Sequence, residues 1–384
     1  MPGLDCIPTV YNAFAADGRV GFSRAAILGI NMGIDMRYRL IAALLGGALL
    51  FAMSAVAAPT STPEGGRSEK AHEGTLDLSV DTETNDMSVR LKAMEQELYA
   101  TEEYLYLVLF NQQYGTRIAA ERLTIPTVDA GVEPAYVFSP RLLKPGAKYP
   151  GLVMVHGSYH GALDPALFGL IAAAVDHGYI VIFPEYRGSR GYGQEQYDAI
   201  DFGGKEVDDV VAAADYLAAT RPVRKDNIAI YGRSKGGMIA PLAIERFPDR
   251  FAAAVDVVGI ADMVAYMAYK PGFRGNDVAR QPRFGGKTIA QDAGPYIDVS
   301  PLNHVEDIKT PILVLNTTGD KTAPVQLQGG RLIELLKVHN KVFEFKIYDN
   351  APGGHVFAEV DSPDARDAER RTFEFLAKYL HPAP

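Results

Sequence analysis

From about residue 120 the chain alternates short, unbroken apolar runs with longer stretches of helical period. RLTIPT (122–127) and PAYVFSP (134–140) are half-apolar and bounded by prolines, as two short antiparallel strands would be. After them come GLVMVHG (151–157), YIVIFPEY (179–186), NIAIYG (227–232), AAAVDVVG (252–259), PILVLNTT (311–318) and VFEFKIYD (342–349). Most of these runs are apolar throughout, which is the pattern of strands covered on both faces. Between them lie ALFGLIAAAVDHG (166–178), EVDDVVAAADYLAAT (206–220), MIAPLAIERF (238–247) and GGRLIELLKVHN (329–340), with ARDAERRTFEFLAKYL (365–380) at the end. Their apolar residues recur every three or four positions, and the first is stopped by Gly178. Strand and helix in alternation predict an α/β fold: a mostly parallel sheet of about eight strands with helices on both faces. Chemistry in such sheets sits in the loops at the carboxyl ends of the strands.

Upstream the pattern changes. Residues 87–113 carry apolar positions at mixed helical spacing, predicting one or two helices packed on the main domain. The stretch 59–86 is rich in Thr, Ser, Glu and Gly and reads as a flexible linker. Arg37 and Arg39 precede an apolar run from Leu40 to Ala57 that ends in small residues, the form of a secretory signal peptide cleaved after Ala57. The long leader before Met36 suggests that Met32 or Met36 is the true start, and an uncleaved signal anchor is the competing reading. The expected organisation is therefore a leader and signal (1–57), a linker (58–86), a helical extension (87–118) and a catalytic domain (119–384). The expected location is periplasmic or secreted, with no stable membrane association after cleavage.

Composition removes some classes. A net charge of −9 argues against sequence-independent nucleic-acid binding, which requires a basic face. The single cysteine, Cys6, precludes an internal disulfide, and no Cys/His spacing suggests a metal site. No cofactor is expected.

One loop carries a nucleophile pattern. NIAIYG runs into Gly232-Arg233-Ser234-Lys235-Gly236-Gly237 and then a helix. G-x-S-x-G between strand and helix puts a serine on a tight, strained turn with its hydroxyl above the sheet edge, the nucleophile turn of α/β-hydrolases. The helix N-terminus behind it offers free amides to a developing oxyanion. A serine hydroxyl needs a base within hydrogen-bond reach and an acid to orient that base. In this fold acid and histidine follow the serine, in that order. Of the histidines after Ser234, His355 alone lies beyond the last strand, in a loop with Gly353 and Gly354. Asp320, after PILVLNTT, fits the acid, and Asp349 is the weaker alternative. The oxyanion donors are expected to be the amides of Lys235 and, in the loop His156-Gly157-Ser158-Tyr159-His160 after GLVMVHG, Ser158. Tyr159 is a candidate substrate-binding side chain or, with His160, an added donor. His156 reads as a structural histidine and Arg187 as a loop-holder.

Taken together, H-G-S at 156–158, Y-R-G-S with G-Y-G at 186–193, G-K-E-V-D-D at 204–209, G-R-S-K-G-G at 232–237, Ser300-Pro301, Asp320 with Pro324 and Gly354-His355 resemble the catalytic domain of the prolyl oligopeptidase family over about residues 120–380. The resemblance implies an α/β-hydrolase fold and a serine peptidase. Ser158 stands where that family usually has glycine, Lys235 where it often has an aromatic residue, and Asn316-Thr317 where it commonly has His-Gly. Typical members also carry a β-propeller, whereas about 60 residues between signal and domain are too few for such blades. Short peptides are thus the expected substrates, with a carboxylesterase on small or carbohydrate-linked esters as the alternative and an inactive binding module as a third reading. The insertion 262–298 is expected to form a partial lid, its Tyr266, Tyr269, Phe273 and Phe284 either lining a pocket or packing the lid down.

Overall fold

The computed structural model describes residues 87–381 except 271, 273, 276 and 277. The expected leader, signal and linker, and Phe273, lie outside the described residues. No helix among the described residues is long and apolar enough to cross a membrane.

Eight strands form one sheet: β1 (Ile118–Pro126), β2 (Val132–Pro140), β3 (Tyr149–Val155), β4 (Ile180–Pro184), β5 (Val223–Arg233), β6 (Ala253–Val257), β7 (Ile312–Thr317) and β8 (Phe343–Tyr348). Their spatial order is β1-β2-β4-β3-β5-β6-β7-β8. β1–β2 and β2–β4 pair antiparallel, and the remaining pairs are parallel. The expected mostly parallel α/β sheet is therefore present. β1 begins four residues earlier than its sequence pattern suggested, because Ile118–Glu121 continue the ladder against Val137–Pro140.

The central strands are apolar because alternate side chains enter two different cores. Val153, Ile180, Ile182, Ile228 and Ile230 pack beneath α3 (Lys205–Thr220), α4 (Lys235–Arg246) and α6 (Gly329–Val338). Leu152, Met154, Val181, Phe183 and Tyr231 pack on the other face, beneath α2 (Phe168–Asp176) and α7 (Pro363–Tyr379). α2 stops as predicted: Gly178 has φ 87°, and its amide donates to the Val175 carbonyl. The extension is one helix, α1 (Met87–Tyr114), whose Phe110 packs on Phe138 and Phe168 at centroid distances of 4.7 and 5.2 Å. The insertion opens with α5 (Met263–Tyr269) and includes short helical turns at Pro282–Phe284 and Gly294–Asp298.

The topology sets the site. The chain leaves β3 for β4 on one side and returns to β5 on the other, so the order reverses at β3/β5. The loops leaving these two strands meet, and an open α/β sheet presents its ligand crevice at such a point. Val155 is paired with Gly232, which brings His156 and Gly157 beside the serine turn. Thr317 is paired with Tyr348, which brings the loops carrying Asp320 and His355 together.

Several carboxyls are buried in this scaffold. Asp256 accepts from the Gly259 amide (2.9 Å) through Oδ1, while its Oδ2 has no hydrogen-bond partner among the described residues. Burial pushes both Asp256 and Glu103 up to about 8, and it raises Glu133, Glu185 and Glu245 as well. In the unfolded chain these groups ionise in the ordinary carboxylate range. Below that range both states are protonated and nothing is lost. Above it the folded chain keeps protons that the unfolded chain has released, so stability falls as pH rises, until about pH 8 for Asp256 and Glu103. The melting temperature should therefore be several degrees higher near pH 6.5 than near pH 8.5, above the range in which the buried His156 acts in the opposite sense, and Asp256→Asn should reduce the difference without abolishing it. A melting temperature that rises over this interval, read by calorimetry, would refute the assignment of neutral buried carboxyls.

Candidate active site

β5 delivers Ser234 onto a turn with φ 57° and ψ −116°, a left-handed conformation unfavourable for a residue with a Cβ. The Ser234 amide donates to the Val257 carbonyl (2.9 Å), and its carbonyl accepts from the Met238 amide (3.1 Å), which opens α4. Glycine is required on both sides. A Cβ at Gly232 would stand 1.9 Å from the Gly236 oxygen, and one at Gly236 would stand 2.2 Å from the Val155 oxygen. Strand, turn and helix touch backbone to backbone, and the serine is thrust outward.

The structure brings the three separated residues together. His355 Nε2 lies 2.8 Å from Ser234 Oγ, and its Nδ1 lies 2.7 Å from Asp320 Oδ2. Asp320 Oδ1 accepts from the amides of Thr322 (2.7 Å) and Ala323 (2.9 Å). Burial pushes the Asp320 carboxyl up, but the His355 contact and these amides outweigh it and hold it below its ordinary value. The chain of groups is buried at its acid end and half-exposed at its serine end. Asp349 instead accepts from the Thr318 hydroxyl (2.9 Å), away from His355.

The loop after β3 lies against the turn: Gly157 Cα is so close that a Cβ there would stand 3.1 Å from Ser234 Cβ. Lys235 follows the serine as the first residue of α4, and Ser158, with φ 67°, follows Gly157. The first amides of a helix have no partner within it, so the Lys235 N–H is available to an oxyanion. His156 is buried, donates from Nδ1 to the Gly157 carbonyl (2.9 Å) and stacks on Tyr186 at 4.1 Å. Burial pulls it down to about 3, so it is neutral and structural. His160 is engaged with the Gly188 carbonyl (2.8 Å) and stacked on Tyr197, and Arg187 is held by Asp209 and Asp129.

The Tyr159 hydroxyl meets the Tyr266 hydroxyl at 3.1 Å, which ties the β3 loop to the insertion. Of the other insertion aromatics, Phe284 packs inward on Tyr296 and Phe202, and Tyr269 is partly exposed.

Three supports escaped the sequence reading. The side chain of Lys235 turns inward, 1% exposed. Its ammonium lies 2.8 Å from Glu206 Oε1, 3.4 Å from the Tyr159 carbonyl, and over the rings of Phe202 and Tyr186. Burial draws that ammonium below its ordinary value, against the pull of Glu206. Glu206 also accepts from the amides of Asp201 and Gly203. Arg233 pairs with Glu359 (2.5 Å), at the far end of the helical turn that begins at Gly354 and carries His355. Arg274 lies over the Tyr266 ring (3.3 Å) and donates to the carbonyls of Tyr266 and Thr322, joining the insertion to the acid loop. Glu206 stands in the G-K-E-V-D-D motif, but Arg274 and Thr322 are 48 residues apart and Arg233 and Glu359 further still, and no local pattern links them.

Among the described residues no group of three or more His, Cys, Asp or Glu is placed to hold a metal. What the arrangement can do is transfer an acyl group through a serine.

The model of the prolyl oligopeptidase family matches residues 166–383, more than half of the chain. The chain belongs to the prolyl oligopeptidase family. It is 26% identical over 295 residues to an uncharacterized peptidase of Bacillus subtilis, YuxL, covering 74% of this chain and 44% of that protein. It is 28% identical to the acylamino-acid-releasing enzyme of Arabidopsis thaliana, over 58% of this chain and 30% of that one. Among solved structures, the acylaminoacyl peptidase of Pyrococcus horikoshii superposes with a TM-score of 0.61 at 21% identity, over 70% of this chain and 43% of that one. A puromycin-hydrolyzing peptidase of Mycobacterium tuberculosis gives 0.60 at 23%, over 68% and 39%. This chain thus spans less than half the length of each, and the two structures support the fold, an α/β-hydrolase sheet.

The Lys235–Glu206 pair yields a stability prediction. Lys235→Met leaves Glu206 buried without its cation and should cost about 3–5 kcal/mol by chemical denaturation. Adding Glu206→Gln should restore only part of that loss, because it removes the buried charge but leaves one oxygen for the two amides that the carboxylate serves. A cost below about 1 kcal/mol for the single variant would show that Glu206 does not depend on this cation.

Proposed function

We propose that this protein is a serine peptidase acting on short peptides through an acyl-enzyme. The observation that carries the reading is the continuous hydrogen-bonded row Ser234–His355–Asp320 on a strained strand-to-helix turn. His355 Nε2 takes the Ser234 proton as Oγ bonds to the substrate carbonyl carbon. The amides of Lys235 and Ser158 hold the oxyanion that forms. As the intermediate collapses, the C–N bond breaks and His355 returns the proton to the departing amine. Water, deprotonated by the same imidazole, then releases the acid. Asp320 keeps Nδ1–H directed and stabilises the imidazolium, a role suited to a carboxylate that stays ionised.

Two observations favour peptides, and short ones. The relatives bear peptidase names, among them an acylamino-acid-releasing enzyme and, at 26% identity, a dipeptidyl aminopeptidase from Pseudoxanthomonas mexicana. The serine end of the row is half-exposed, as access by a short peptide requires. An ester substrate would use the same acylation machinery and differ in the leaving group.

The test compares the protein with Ser234→Ala and Asp320→Asn on p-nitroanilides of short peptides, with free and acylated N-termini, and on p-nitrophenyl esters. Anilide turnover should fall about 10⁶-fold in kcat for Ser234→Ala and about 10⁴-fold for Asp320→Asn. Ester turnover without anilide turnover would transfer the assignment to a carboxylesterase. Failure of a fluorophosphonate to label Ser234 in the folded protein would leave a binding module.

A further inference from the structure

Helix α1 carries two opposed faces. Gln96, Glu103 and Phe110, spaced seven apart, are buried against the domain. On the opposite side Met87, Leu91, Met94, Leu98, Leu105 and Val108 are between 37% and 64% exposed. Their spacing runs in steps of four and three, with exposed Thr101 completing the series. This is a heptad seam: leucine at three successive a positions, and Met, Met, Thr and Val at d. The buried residues then occupy f, the position diametrically opposite the seam. Having apolar residues on both sides explains why the sequence showed only mixed helical spacing here.

We propose that α1 is a dimerisation helix, pairing along this seam with α1 of a second copy of the chain. The period decides the kind of surface. A repeat of 3.5 residues is what a second helix needs, because it keeps one seam facing a supercoiled partner. A helix lying on a lipid surface would be flanked by basic residues, whereas here the seam is edged by Glu95, Glu97 and Glu102, with Arg90 the one basic residue among the edge positions. The back of the helix decides the number of strands. In a two-stranded coil b, c and f point away from the partner. Here Gln96, Glu103 and Phe110 at f are buried and Ala93, Ala100, Leu107, Tyr99 and Tyr106 at c and b are half-buried, while Val89, Lys92 and Gln113 towards the ends of the helix are exposed. The helix can therefore be held between its own domain and one partner helix. The area is sufficient: three heptads of seam with their edge residues approach the roughly 800 Å² per partner of a standard interface. The acidic edges imply an association driven by apolar burial, one that added salt strengthens rather than dissolves.

The test is the mass of the purified full chain in solution, by sedimentation velocity and by light scattering on a sizing column, up to tens of micromolar and at low and high salt. The chain should be a dimer that tightens with salt. Leu91→Glu/Leu98→Glu/Leu105→Glu should be a monomer labelled by a fluorophosphonate at the wild-type rate, and Leu98→Glu alone should weaken the dimer at least 100-fold. Leu142→Glu, at an exposed apolar site off the seam, should leave the mass unchanged. A wild-type monomer throughout the concentration range would overturn the proposal. So would a dimer that persists in the triple variant, which retains the apolar run 40–57 and would then associate through another part of the chain.

Discussion

The structure depends on one close backbone approach, where the turn after β5 presses against the end of β3. Gly232 touches Gly236, and Gly236 touches the Val155 carbonyl, at distances that leave no room for a methyl group. That contact forces Ser234 into a left-handed conformation, sets the entry angle of α4, and brings the loop after β3 alongside the hydroxyl. Strain of this kind, on the order of 1–3 kcal/mol at one residue, persists only where the surroundings over-determine it. Here they do, because the ladders to β3 and β6 on either side hold the end of β5 in register.

A strained turn locates the serine, but the histidine and acid arrive on loops from strands further along the sheet. Paired charges close that distance. Arg233, adjacent to the serine, holds Glu359 at the end of the histidine's helical turn. Arg274 spans from the insertion to the acid loop. Lys235 reaches under the β3 loop to Glu206, which also gathers the amides of the loop before α3. A loop alone is among the more mobile parts of a protein. Each of these loops is therefore fastened by a charged side chain whose own position is fixed by the turn, by burial or by a ring face.

How much of this could be read from the sequence follows from what is local. The strands were legible because both faces of the sheet are covered, and the strained serine turn because G-x-S-x-G is a local steric requirement. Asp320 and His355 were legible through chain order, since loops after successive strands of a parallel sheet emerge at one edge. The orientation of Lys235 was not legible: its position next to the serine marks its amide, while its side chain follows an acid 29 residues upstream that is near only once α3 has packed. Tyr159 was singled out for its place in the β3 loop, but its partner, Tyr266, lies 107 residues away. Helix α1 was ambiguous for the opposite reason. Two apolar faces on one helix cancel the one-sided pattern by which amphipathic helices are recognised.

The same division bears on substrate choice. The serine, histidine and acid are fixed by the sheet and by ties beneath it, and that geometry serves any acyl transfer alike. Selectivity therefore rests on residues outside this row. Two segments that could supply it, the β3 loop and the insertion, are tied to each other, since the Tyr159 and Tyr266 hydroxyls lie 3.1 Å apart. The Tyr159 ring packs on Phe202 at 5.1 Å, and its carbonyl lies 3.4 Å from the Lys235 ammonium. Two departures from the family pattern, Ser158 and Lys235, adjoin Tyr159 and Ser234 in the chain, and the hydrogen-bonded row of serine, histidine and acid is left intact beside them.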